Sequence, residues 1–243
     1  MPIRLICLDA DDTLWHNMRH FHVAEDALFA MLQPFADAHV ARDNLNACEA
    51  RNLKLYGYGA KGFTLSMVET AVELAGESLS RDLVAAILKA GQNLLAHPVE
   101  LFDGVEETLE ALCERGRLVL VTKGDLLHQE AKLAASGLGD RFSGIEIVSD
   151  KKPDTFRRLF ESYGVAPEEA VMAGDSIRSD VLPALEAGAW AAYIPQAGAW
   201  THEQGKSPEA SPRFRQLDAL ADLLGWIDMI GQATGGEPSR SLA

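Results

Sequence analysis

The stretch Ile3-Arg4-Leu5-Ile6-Cys7-Leu8-Asp9-Ala10-Asp11-Asp12-Thr13-Leu14-Trp15 decides how this chain reads. Ile3–Leu8 is a short apolar run, the pattern of a strand buried on both faces, and it ends in Asp9. In extended backbone, residues two apart project to the same side, so Asp9 and Asp11 are placed to face one substrate. Two carboxylates so placed can divide the labour of nucleophile and general acid/base. Asp11 and Asp12 would equally suit the cap of a following turn, where Asp is common. The string alone leaves both readings open.

Outward from this strand the pattern changes twice. Residues 18–97 read as consecutive amphipathic helices. Phe21, Ala24, Leu28 and Leu32 keep a helical period, as do Leu65, Val68, Val72 and Ala75, and then Leu83, Ile87 and Leu94. The run Tyr56-Gly57-Tyr58-Gly59-Ala60-Lys61-Gly62 separates two of these helices. After Pro98, strand and helix alternate: helix 105–114, strand 118–121, helix 126–135, strand 145–148, helix 153–163, strand 170–173, helix 180–187 and strand 191–194. Residues 195–215 read as a loop, 217–230 as a last amphipathic helix, and 233–243 as a flexible tail. Alternation of this kind implies crossover connections and a mostly parallel sheet with helices on both faces. The expected fold is therefore α/β, a Rossmann-like doubly wound core over 1–17 and 98–232, with an all-helical cap over 18–97 inserted after the first strand.

In open α/β sheets, ligands bind beyond the carboxyl ends of the strands, and four strand ends here carry reactive residues. The first holds Asp9 and Asp11. The second is Thr122-Lys123-Gly124, where a hydroxyl and backbone N–H groups at a strand-to-helix junction can cradle phosphate, or simply start a helix. The third is Asp150-Lys151-Lys152-Pro153, with the proline suited to the first position of a helix and a lysine able to offset carboxylate and phosphoryl charge. The fourth is Gly174-Asp175-Ser176-Ile177-Arg178-Ser179-Asp180, whose carboxylates suit Mg²⁺, an ion of hard oxygen ligands, or a helix cap. Each bland reading stands singly. Four of them arranged by accident at four strand ends is a far less economical account.

Composition narrows the partners. The chain has 243 residues and a formal net charge of −14, a field that disfavours nucleic-acid polymers and anionic membranes. No apolar run approaches the ~20 residues of a spanning helix, and the N-terminus does not read as a signal peptide. Cys7, Cys48 and Cys113 are odd in number and widely spaced, the pattern of reduced core residues rather than of a disulfide framework or a zinc site. A cytoplasmic location is expected.

In their order, Asp9-x-Asp11-x-Thr13, Thr122, Lys151/Lys152 and Gly174-Asp175-x-x-x-x-Asp180 resemble the motifs of the haloacid dehalogenase-like hydrolase superfamily, and the helical insertion is similar to its all-helical cap. The string Asp9-Ala10-Asp11-Asp12-Thr13-Leu14-Trp15-His16-Asn17 resembles a phosphatase-like branch. The resemblance implies that Asp9 attacks phosphorus and that Asp11 protonates the leaving oxygen and then activates water. It implies that Thr122, with the neighbouring Lys123 and Gly124, holds phosphoryl oxygens. Mg²⁺ would be bound by Asp9, the backbone carbonyl of Asp11 and Asp175, with Asp180 as outer ligand or lysine anchor. The Lys-Pro dipeptide nominates Lys152, whereas family members place this lysine a few residues before the helix-starting proline, which favours Lys151. Lys123 stands where a small or amide residue is more usual. The implied activity is hydrolysis of a small phosphorylated metabolite through an aspartyl-phosphate. A phosphomutase would share every one of these residues. A dehalogenase typically lacks the second carboxylate, and a silent binding module would not need the full set. For reading the leaving group, the candidates are His16, Asn17, Tyr58 and Lys61, with Trp15, Arg19, Tyr56 and Phe63; cap core is the simpler reading of the tyrosines and Phe63. The loop of Trp200, Thr201, His202 and Glu203 receives no role.

Overall fold

The computed structural model describes residues 2–198, 200, 203 and 205–235. Strand β1 (Leu5–Leu8) is fully buried, as a two-faced strand must be. Four helices follow: α1 (Met18–Leu32), α2 (Ala38–Tyr56), α3 (Ala60–Ala75) and α4 (Arg81–Leu95). Then come α5 (Val105–Cys113), β2 (Arg117–Lys123), α6 (Leu126–Ser136), β3 (Gly144–Val148), α7 (Pro153–Tyr163) and β4 (Ala170–Gly174). A π-helical turn (Ile177–Val181) leads into α8 (Leu182–Glu186), followed by β5 (Trp190–Tyr193), β6 (Phe214–Gln216) and α9 (Asp222–Gly235).

The strands form one sheet in the order β3-β2-β1-β4-β5-β6. β1 pairs in parallel with both β2 and β4, and β4–β5 and β5–β6 are parallel as well. The chain winds outward through β2 and β3, then returns to the far side of β1 and winds the other way. The direction therefore reverses between β1 and β4, the switch point at which doubly wound sheets bind ligands. Registers Leu8↔Leu120 and Leu8↔Ala173 bring the carboxyl ends of β2, β1 and β4 to one edge. One core packs β1, β2 and β4 against α7 and α8 through Leu5, Cys7, Val119, Phe156, Phe160, Met172 and Ala184. Burial pushes the Cys7 thiol up to about 12, so it behaves as a core residue rather than a reactive one; Cys48 is buried as well, whereas Cys113, expected in the core, is exposed at the end of α5.

Two compact units divide the described residues. The α/β unit takes in residues 2–16, 100–122 and those from 136 onward; the helical unit joins Asn17–Val99 to Lys123–Ala135. The helical unit has its own core, built from Leu28 and Leu32 of α1, Ala41 and Leu45 of α2, Phe63 and Met67 of α3, and Ile87 and Leu94 of α4. α4 starts on the side chain of Ser80, which accepts the Leu83 N–H at 3.1 Å.

Five local expectations change. Helix 180–187 is instead a π-helical turn followed by the short α8, because Pro183 has no N–H to give the Ser179 carbonyl and Asp180 is drawn back to Ser176. The loop expected over 195–215 contains the start of β6, a short edge strand whose Arg215 and Gln216 are exposed. The last helix begins at Asp222 rather than at 217, since the Leu217 N–H is bound by the Tyr193 carbonyl at the sheet edge. Strand 118–121 runs on to Lys123, so Thr122 lies within β2. α9 reaches Gly235, within the stretch read as a tail; residues 236–243, and Thr201 and His202, lie outside the described residues. Among the described residues no helix is long and apolar enough to cross a membrane.

Candidate active site

The switch point gathers side chains from four strand ends. Asp9 follows β1 directly, its N–H held by the Ala173 carbonyl of β4 at 2.9 Å. Lys151 comes from the loop after β3 and is almost wholly buried. Its Nζ donates to Asp9 Oδ1 and, at 2.6 Å, to Asp180 Oδ1. Lys152 faces the other way, exposed and 3.5 Å from Asp150, because adjacent residues of extended backbone project to opposite sides. Pro153 then opens α7 with Lys152 at its cap, which fixes this alternation.

Carboxylate oxygens of Asp9, Asp175 and Asp180 all lie within 4.8 Å of one another, a cluster that could hold a metal ion. Gly174 makes the approach possible. A Cβ there would lie 2.2 Å from Asp180 Oδ2 and 2.9 Å from Asp9 Cβ. Thr122 is buried at the neighbouring end of β2. Asp11 is half-buried and accepts the Trp15 indole N–H at 2.7 Å, while Trp15 itself is buried. The turn between them needs Asp12 at φ 56, the left-handed region that Asp tolerates better than most residues. Asp9, Thr122, Lys151, Asp175 and Asp180 thus lie along the carboxyl edge of one sheet, with Asp11 beside Asp9 in sequence.

The electrostatics are those of an overloaded acidic site. Burial raises Asp9 to about 7; Lys151 works against that rise and Asp180 adds to it. Asp175 is pushed well above the carboxylate range, first by burial and then by Asp9 and Asp180. Burial alone would lower Lys151, but Asp180 and Asp9 more than reverse this and keep it an ammonium. One buried cation against three clustered carboxylates leaves negative charge that a further cation would offset.

The helical unit holds the other candidates, in milder settings. Lys123 Nζ lies 3.8 Å over the Tyr58 ring. Gly124 takes φ +136, and Asp125 then caps α6 by accepting the His128 N–H at 3.1 Å. Lys61, half-exposed, donates to that same Asp125 Oδ1 at 2.8 Å. Asn17 is buried and accepts from Lys132 at 3.3 Å. Phe63 belongs to the helical core, and Tyr56 is exposed with its hydroxyl donating to Glu69. Arg19 is exposed. In the α/β unit, His16 packs on Phe102 with ring centroids 4.0 Å apart.

Sequence reasoning left one group without a role. Ser176 and Ser179, both buried, each donate to Glu203 Oε2 at 2.5 Å. Ser176 also accepts the Ser179 N–H as the cap of the π-helical turn. Nothing local marks the contact with Glu203, which lies 27 residues on from Ser176.

Comparison with known proteins agrees with this architecture. The model of the haloacid dehalogenase-like hydrolases matches residues 3–188, and the chain belongs to that family. It is similar to a haloacid dehalogenase-like family hydrolase from Xanthomonas campestris, with 38% identity and a TM-score of 0.86 over 97% of this chain and 95% of that one. A phosphoserine phosphatase of Thermus thermophilus is 30% identical over 89% of this chain and 96% of its own length. A glyceraldehyde 3-phosphate phosphatase of Methanopyrus kandleri is 26% identical, covering 91% of this chain and 96% of the relative.

Proposed function

We propose that this chain is a Mg²⁺-dependent phosphohydrolase that cleaves a small phosphate monoester through a phosphorylated Asp9. The observation that carries the reading is the convergence of Asp9, Lys151, Asp175 and Asp180 at the switch point of the sheet. Relatives that are phosphatases of small metabolites, similar along nearly their whole length, support the same reaction class.

In this reading an Asp9 oxygen attacks phosphorus and the bond to the ester oxygen breaks. The departing oxygen takes a proton from Asp11, whose carboxyl the Trp15 indole holds through Oδ1. Asp11, now ionised, then takes a proton from water, which attacks the phosphorus of the aspartyl-phosphate and releases inorganic phosphate and Asp9. Thr122, with nearby backbone N–H groups, holds phosphoryl oxygens. Lys151 favours the ionised form of Asp9 against the effect of burial and offsets the charge that gathers on the phosphoryl group. The hard-oxygen cluster beneath Gly174 fits Mg²⁺: Asp9, the Asp11 carbonyl and Asp175 would hold it, and Asp180 would anchor Lys151. When bound, Mg²⁺ would supply positive charge that offsets the carboxylates and the phosphoryl oxygens.

The test is a panel of phosphorylated hydroxy acids, amino acids, aldehydes, sugars and nucleosides, assayed with Mg²⁺ and in EDTA. Release of inorganic phosphate from at least one small ester, lost in EDTA and restored by Mg²⁺, is expected. Full activity in chelator would overturn the metal assignment. Transfer of phosphate between positions of a sugar, without release, would make the enzyme a mutase.

A further inference from the structure

Asp175 and Asp180 are carried by a segment that needs outside support. It leaves β4 at Gly174 and passes through the π-helical turn Ile177–Val181 before α8 begins. Such turns are rare and less well bonded than an α-helix, and recur where a site demands a particular placement. Ser176 is the hub of this one. Its carbonyl accepts the N–H groups of Asp180 and Val181 at 3.0 and 3.1 Å, and its own N–H donates to Asp180 Oδ2 at 3.0 Å. Its hydroxyl accepts the Ser179 N–H at 2.9 Å, which directs the hydroxyl proton outward.

That proton meets Glu203. Ser176 and Ser179 hydroxyls both donate to Glu203 Oε2 at 2.5 Å, and the Glu203 carbonyl lies 3.2 Å from Ser176 Oγ. Hydrogen bonds from hydroxyls to a carboxylate are roughly twice as strong as neutral ones. The path from Glu203 is then continuous: through Ser176 to Asp180, through Asp180 to Lys151, and through Lys151 to Asp9. The order of the network is set from the loop inward, and its far end is the nucleophile.

We propose that Glu203 is a positioning residue that locks the Asp175–Asp180 segment in its metal-holding form. It touches neither substrate nor metal. It acts by fixing Ser176 and Ser179, and through them the direction of the Asp180 carboxylate. A neutral amide in its place keeps an oxygen able to accept both hydroxyls, whereas a methyl group removes the acceptor they share and leaves Ser176 the backbone carbonyl of residue 203 at 3.2 Å. The inference rests on the metal reading given above.

The experiment measures Mn²⁺ binding to metal-free protein by electron paramagnetic resonance, with circular dichroism as a check of folding. For Glu203→Ala, Mn²⁺ affinity should fall about 10–100-fold, as for groups that orient metal ligands, while Glu203→Gln stays within about threefold of wild type. kcat should fall with the affinity, and KM should move little, because Thr122 and the phosphate-binding backbone are untouched. Equal Mn²⁺ affinity in wild type and folded Glu203→Ala overturns the proposal and leaves Glu203 as a loop tether. Should Glu203→Ala fail to fold, Ser179→Ala removes one of the two hydroxyl bonds. A weakening of about 3–10-fold is expected there, and unchanged affinity overturns the proposal. Wild-type protein that binds no Mn²⁺ overturns the metal reading itself, and this inference with it.

Discussion

Lys151 and Lys61 each meet an aspartate, yet the two contacts do opposite kinds of work. Lys151 is enclosed with Asp9 and Asp180, all three side chains nearly sealed from water. Lys61 meets Asp125 in the helical unit with half of its own side chain exposed. In the first setting neither charge can be hydrated, so each depends on the other. In the second, water screens both and replaces either partner at little cost. The difference separates a place where geometry is fixed from one where it can adapt. Catalysis needs the former, and a surface that reads varied leaving groups can use the latter.

The sharpest way to break this comparison is at its buried end. Asp9→Asn keeps the shape and removes the nucleophile. Turnover should fall by at least about 10³-fold on any phosphate ester, with the fold retained by circular dichroism. Activity within tenfold of wild type would end the covalent mechanism and make the acidic cluster a binding site only.

Next comes the lysine pair. Lys151→Met should cost about 3–5 kcal/mol of stability near neutral pH, since it leaves buried carboxylates without their cation. Part of that cost should return at acid pH, where those carboxylates take up protons. Activity should fall with it. Lys152→Met, at an exposed neighbour of Asp150, should change melting and turnover little. Equal effects of the two substitutions would contradict the placement of Lys151.

The buried and the exposed lysine also differ in how far the sequence makes them legible. The strand-end positions of Asp9, Thr122, Lys151 and Asp175 were legible because a parallel sheet ties chemistry to the ends of apolar runs, and those runs are unmistakable. The choice between Lys151 and Lys152 was only partly legible. It depends on which face of extended backbone precedes Pro153, and a dipeptide does not announce that. α2 was hard to single out because its buried face includes Glu49 and Asn52 beside Ala41, Leu45 and Cys48, which blurs the apolar period. β6 and the Glu203 contact were illegible for a common reason. Each joins residues far apart in sequence, with no local pattern to mark it.

Acidity offers a third and smaller effect. The raised Asp9 and Asp175 mean that the folded, metal-free protein holds protons more tightly than the unfolded chain. Its stability should therefore fall as pH rises from about 4 towards 7, the window between an ordinary aspartate and Asp9 as placed here. Millimolar Mg²⁺ should flatten that fall, because cation binding favours the ionised carboxylates. The measurement is melting temperature against pH in chelator and in Mg²⁺. A metal-free profile that rises over this window would show that the carboxylates are not strained as the geometry requires.

The smallest expected effect is at the exposed end of the comparison. Lys61→Ala removes the contact with Asp125, and a double-mutant cycle with Asp125→Ala should give a coupling below about 1 kcal/mol, weaker still in high salt. Lys61 holds the Asp125 carboxyl below its usual range, so this coupling is present above the unfolded aspartate's range and is lost as pH falls and Asp125 protonates. Asp125→Ala should cost more than Lys61→Ala, because Asp125 also caps α6 through the His128 N–H. Turnover discriminates further. If Lys61 helps to select substrates, Lys61→Ala should lower kcat/KM for the preferred ester and leave acetyl phosphate, which has almost no leaving group to read, unchanged. A matching loss on both would place Lys61 in general phosphate binding. A coupling as large as that of the buried lysine would erase the distinction between the two ends.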